Sequence, residues 1–129
     1  MQNNLNIPYE DLSASNAQFR EEIDQDIKNV LDSGWYILGQ EVTSFEKEFS
    51  KYLGAKHCIG VANGLDALIL SIDALDLPLR SDILVASNTY IATILAIVRA
   101  GHNPVLVEPN IDTFNIDPGE IEKKITKKT

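Results

Sequence analysis

Cysteine is nearly missing from this sequence: Cys58 stands alone. An internal disulfide is thereby excluded, and a reducing compartment is the expected setting. Because Cys58 opens the apolar run Cys58-Ile59-Gly60-Val61-Ala62, a buried, inert thiol is expected rather than a nucleophile. Long hydrophobic runs are missing too. The longest stretch without a charged residue, Ile83 to Val98, has 16 residues and contains Ser87, Asn88, Thr89 and Thr93. It is too short and too polar to span a bilayer. The opening MQNNLNIPYEDL has neither the basic nor the apolar region of a secretory signal, so a soluble cytoplasmic protein is expected. Positive charge is scarce. Eleven Lys and Arg against 19 Asp and Glu give a net charge of −8, which repels a nucleic-acid duplex or an anionic membrane. One small phosphate remains compatible, because backbone amides at a helix start hold it without Lys or Arg. Neither G-x-G-x-x-G nor a Walker loop is present. His57 and His102 have no Cys or carboxylate at ligand spacing, so no metal site is expected.

What is present has the composition of a globular chain, 44% hydrophobic and 23% charged over 129 residues. Phe19, Ile23, Ile27, Val30 and Leu31 share one helical face, predicting a helix over 16–32 stopped by Gly34. Val42, Phe45, Phe49, Tyr52 and Leu53 predict a second over 41–53, stopped by Gly54. Between them lies the apolar connector SGWYILGQ, where Trp35 and Tyr36 read as hydrophobic packing or as an interface or substrate wall. After Gly54 the rhythm changes to strand 57–62, helix 64–76, a break at Pro78, strand 83–86, helix 90–100 and strand 104–108. Short apolar strands alternating with helices predict an α/β fold with a parallel sheet covered on both faces. Asp117-Pro118-Gly119-Glu120 opens a further helix, with Asp as cap, Pro first and Glu third. The expected division is a helical segment over 1–56 and an α/β region over 57–129. The ending EKKITKKT falls where that helix should finish, so a piece of a longer protein is expected, with a complete small domain as the alternative.

Two stretches carry possible chemistry. In GVANGLDALIL an apolar run turns into a helix through Asn63-Gly64 alone. If residues 57–62 are a strand, this turn lies at its carboxyl end, where open α/β sheets place ligands. Asn63 can cap the helix, leaving the Gly64 and Leu65 N–H groups pointing outward. Asp66 must then turn away from any anion, back toward the cap. An ordinary tight turn is the competing explanation. In SNTYIAT the next strand also turns straight into a helix, with Tyr90 at its start. That ring can lie on a planar ligand whose phosphate sits at Gly64, or serve as a core or rim aromatic. Glu108 holds the corresponding edge after the third strand.

Taken together, SGWYILGQEVTSFEKEFSKYLG, CIGVANGLDALIL, SNTYIATILAI and PVLVEPNIDTFNIDP resemble, in order and spacing, the first third of the nucleotide-sugar aminotransferases of the DegT/StrS family. The likeness runs from about Asn6 and leans toward members that aminate C3 of a dTDP-linked 3-keto-6-deoxyhexose. It implies the N-terminal portion of the fold type I large domain, a parallel-sheet three-layer core that carries pyridoxal 5'-phosphate. It also implies a homodimer, glutamate as donor, Gly64 and Leu65 on the cofactor phosphate and Tyr90 on its ring; Tyr36, from the substrate-wall reading of the connector, is the candidate substrate contact. Asn63 and Leu65 replace the hydroxyl residues of the Ser-Gly-Thr turn that many members carry, and DLPLRSDIL replaces a glycine-rich turn. The family's Schiff-base lysine, and the acid on the pyridine nitrogen, lie beyond Thr129 by this resemblance. No catalytic residue is therefore assigned within 1–129, and these residues alone are expected to be inactive. A sugar dehydratase of the same family and a small flavodoxin-like domain binding a phosphorylated ligand are the alternatives.

Overall fold

The computed structural model describes residues 7–129; Met1–Asn6, where the helical segment and the family likeness were expected to start, lie outside them. Residues up to Gly60 form one compact unit and Val61–Thr129 the other.

The first unit is helical. α1 (Leu12–Ala17) begins on Asp11, whose side chain accepts from the Ala14 N–H at 2.9 Å. The chain leaves helical geometry at Phe19 (φ −111°) and re-enters it as α2 (Arg20–Ser33). The single helix expected over 16–32 is thus two, because Asp11 nucleates an earlier turn that does not run on through Phe19. Gly34 and Gly54 adopt left-handed conformations and end α2 and α3 (Gln40–Leu53), as helix-stopping glycines do. Between these helices the Trp35 indole donates to Ile37 O at 2.8 Å. Glycine is required at 39, since a Cβ there would lie 2.9 Å from Trp35 O. Neither α2 nor α3 buries a residue fully.

Residues 57–62 do not form the expected strand. No described segment pairs with them, and an apolar run becomes a strand only where a ladder receives its amides. The Gly60 N–H donates instead to Glu46 Oε1 on α3 at 2.7 Å. Ile59 is largely exposed, and Cys58 is half-buried rather than buried.

The second unit holds α4 (Gly64–Asp73), β1 (Asp82–Ala86), α5 (Ile91–Arg99), β2 (Asn103–Val107) and α6 (Pro118–Lys124). β1 and β2 pair in parallel, with Ile83 opposite Pro104 and Val85 opposite Leu106. The expected strands 83–86 and 104–108 are therefore present, in a sheet of two strands rather than three. Asn103 N–H donates to Ser81 O, so the alternate residue Pro104 turns its missing N–H to the outer side of β2. Val85, Ala96, Ile97 and Val107 are buried, placing the core where α5 crosses the sheet. α4 packs against α5, and α5 and α6 both pack on β2. α6 starts as its sequence predicts: Asp117 caps the Gly119 N–H at 2.8 Å and Pro118 occupies the first turn.

Candidate functional site

The residues at the starts of α4 and α5 meet in one open cleft. Asn63, Gly64, Leu65, Tyr90, Ile91 and Thr93 line it, and Leu68 and Leu95 continue its apolar wall. Its volume is about 760 Å³, within the range that holds a cofactor or substrate. Gly64, Leu65 and Tyr90 are therefore brought together, although residues 57–62 form no strand leading into the turn.

The start of α4 has a defined hydrogen-bond pattern. Asn63 is extended (φ −164°) and its Oδ1 accepts from the Asp66 N–H at 2.9 Å. Its Nδ2 donates to Asp66 Oδ2 at 3.0 Å. The expected turning-back of Asp66 is present, but the carboxylate meets the side-chain amide of the cap rather than its main-chain N–H. Asp66 lines a separate depression with Val61, Ala62, Ile69 and Leu70, so its charge stays off the cleft wall. The Ala67 N–H takes Asn63 O. Gly64 and Leu65, the first two residues of the helix, are the amides left without an intrahelical acceptor. A Cβ at Gly64 would meet nothing within 4 Å, so no neighbouring group crowds this residue.

Tyr90 precedes α5 in an extended conformation and makes no side-chain cap. It is 78% exposed, so the phenol is no core aromatic. Thr93 N–H closes onto Tyr90 O at 3.0 Å, leaving the Ile91 and Ala92 amides in the same position as those of Gly64 and Leu65. Sequence reading passed over this second pair, because the absence of a capping side chain gives no motif. The Thr89 hydroxyl donates to the Thr93 hydroxyl at 3.0 Å, and the Ser71 hydroxyl to Ala67 O at 2.7 Å.

Among the described residues lining the cleft none is charged. Its attraction for an anion comes from main-chain N–H groups and from two helix N-termini, each carrying a fraction of a positive charge. A phosphate ester bearing a flat ring suits these donors and the exposed phenol.

Two other expectations lie elsewhere. Tyr36, on the helical unit, is 64% exposed with its hydroxyl 3.4 Å from Leu31 O, and Trp35 is 67% exposed. Packing as the role of this pair is thereby corrected: the connector is held by its own hydrogen bonds and keeps both rings outside. Glu108 lies at the end of β2, where Ser87 Oγ donates to its Oε2 at 3.5 Å.

Residues 17–129 match the model of the DegT/DnrJ/EryC1/StrS aminotransferase family, and the chain belongs to that family. Among its relatives, the dTDP-3-amino-3,6-dideoxy-alpha-D-galactopyranose transaminase of Aneurinibacillus thermoaerophilus is 58% identical over 95% of this chain and 34% of its own length. Streptomyces venezuelae DesV superposes with a TM-score of 0.89 at 43% identity, over 95% of this chain and 33% of DesV. NtdA from Bacillus subtilis, solved with bound cofactor PMP, gives 0.86 at 32% identity, over 99% of this chain and 30% of NtdA. The chain thus has the α/β fold of the N-terminal portion of these aminotransferases and spans about a third of the length of the relatives it matches.

Proposed function

We propose that this chain is the phosphate-holding part of a pyridoxal phosphate-dependent nucleotide-sugar aminotransferase, one that moves an amino group from glutamate to a dTDP-linked keto-6-deoxyhexose. The observation that carries the reading is the uncharged cleft where the free amides of Gly64 and Leu65 meet the exposed ring of Tyr90. The sugar class is supported by the transaminase relative at 58% identity. Cytoplasmic location, a homodimer and Tyr36 as a substrate contact belong to the same proposal.

The residues present fit such a cofactor. Gly64 and Leu65 would donate to its phosphate oxygens, with no neighbouring group crowding Gly64. Tyr90 would orient the ring by stacking, a contact that needs only an exposed aromatic face. Asn63 keeps the Asp66 carboxylate tied back and so keeps like charge out of the anion's place. Leu65, Leu68, Ile91 and Leu95 would give the ring an apolar wall to lie along. When bound, the cofactor supplies an electron sink for proton removal from the amino donor. No lysine lines the cleft among the described residues; the group that moves that proton is expected outside 1–129, and these residues alone are expected to be inactive.

The test uses the product of the complete reading frame that encodes this chain. With pyridoxal phosphate and glutamate it should convert a dTDP-3-keto-6-deoxyhexose to the amino sugar and release 2-oxoglutarate in equal amount. Cofactor binding followed by loss of a sugar hydroxyl without amine transfer would replace the aminotransferase by a dehydratase. Failure to bind the cofactor would remove both.

A further inference from the structure

The loop of residues 108–117 follows β2 and closes on itself. Pro109 and Ile116 pair in an antiparallel bridge. The Asn110 N–H donates to Asn115 O, and the Phe114 N–H to Asn110 O, both at 2.8 Å. Asn110 Oδ1 accepts from the amides of Asp112 and Thr113 at 3.0 and 3.1 Å. Within this frame Phe114 has φ +58°, a region that a bulky L-residue occupies only under constraint. Its ring is nevertheless 66% exposed, so no packing of the ring offsets the backbone strain.

Two side-chain hydrogen bonds tie this loop to the turn before α5: Ser87 Oγ donates to Glu108 Oε2 at the loop's start, at 3.5 Å, and the shorter one reaches its closed part. Asn88 Nδ2 donates to Phe114 O at 2.9 Å across 26 residues of sequence. Asn88 stands two residues before Tyr90. The Asn88 amide therefore joins the turn that presents Tyr90 to the part of the loop that presents Phe114, both at the carboxyl ends of parallel strands. This is the sheet edge at which open α/β folds meet their ligands.

The geometry points to Asn88 as a positioning residue and Phe114 as a specificity-determining one: the Asn88 amide holds the loop so that the Phe114 ring forms an apolar platform for the deoxyhexose of the nucleotide sugar. A 6-deoxyhexose offers a methyl group and a C–H face, which an exposed aromatic ring receives without a hydrogen bond. The choice of ligand rests on the aminotransferase reading above; the tether does not.

The experiment compares Asn88→Ala, Phe114→Ala and Phe114→Tyr in the product of the complete reading frame. In Asn88→Ala, amide hydrogen exchange over 110–115 should accelerate about tenfold, the effect of one lost hydrogen bond. In Asn88→Ala and Phe114→Ala, KM for the keto sugar should rise about tenfold while kcat and pyridoxal phosphate affinity stay within about twofold, because only substrate binding is touched. Phe114→Tyr should restore KM. Unchanged exchange in Asn88→Ala overturns the tether. Unchanged KM in Phe114→Ala, or a fall in cofactor affinity that parallels it, overturns the platform. If the unsubstituted enzyme transfers no amino group, the aminotransferase reading fails and the platform with it, while the exchange measurement still decides the tether.

Discussion

Asn63 at the start of α4 commits both ends of its side-chain amide to Asp66, whereas Tyr90 at the start of α5 commits none of its side chain to its own helix. In α4 the cap is satisfied inward and the main chain is left to face the cleft. In α5 the side chain faces the cleft, beside the uncapped amides of Ile91 and Ala92. The difference separates two tasks that a phosphorylated planar ligand sets: gripping an anion, which needs unpaired N–H groups, and orienting a ring, which needs an unpaired aromatic face. Neither task uses a charged side chain of this acidic protein, so the cleft avoids both a buried cation and its desolvation cost.

The largest expected effect comes from a change that should damage binding and spare folding. Gly64→Asp places a carboxylate beside the free amides. It should weaken pyridoxal phosphate binding by about 3 kcal/mol, roughly a hundredfold. The same carboxylate is favourable at a helix N-terminus, so the urea midpoint should hold or rise; a fall in both quantities would mean that Gly64 serves the fold. Asn63→Ala should instead damage both, costing about 1 kcal/mol of stability through the lost cap. It also frees Asp66, so cofactor affinity should fall with it, as calorimetry and chemical denaturation together would read. Tyr90→Ala should weaken cofactor binding by about 0.5–1.5 kcal/mol and leave stability unchanged because the ring is 78% exposed. Tyr90→Phe should restore binding if stacking is the contact.

The smallest effect lies away from the cleft. Lys123 is held above its ordinary 10.5 by its hydrogen bond to Glu120 and then by that carboxylate's charge. Its contribution to stability is complete below the unfolded-chain value and lost as pH rises through the folded one. At this exposed pair Lys123→Gln should remove a barely measurable difference between neutral and strongly alkaline denaturation midpoints.

How far the residues foretold this structure depended on whether each signal was local. Gly34 and Gly54 mark helix ends, and Asp117-Pro118 a helix start, through their own backbone preferences; all three stand where the sequence places them. The parallel pairing of β1 and β2 followed from two apolar strands separated by one helix. The run 57–62 failed because strand formation depends on a partner edge that the run itself cannot report. The left-handed backbones of Leu38, Arg80 and Phe114 gave no warning either, since none is of a residue type that favours that region. In the cleft, Asn63-Gly64 was visible as cap and gap, and Tyr90 as an aromatic at a helix start. The amides of Ile91 and Ala92 gave no motif because no side chain caps them, and the reach of Asn88 across to Phe114 arises only once α5 and the loop after β2 have packed.

Amide NMR of the complete protein, isotope-labelled and titrated with pyridoxal phosphate and then with pyridoxal, reads the phosphate grip at the start of α4. The Gly64 and Leu65 resonances should move far downfield with the phosphate ester and little with the alcohol. If both stay still while amides around Arg80, Lys127 and Lys128 move, the anion sits in the cation-lined cavity of about 440 Å³ at the other end of β1, and the account of the cleft is contradicted.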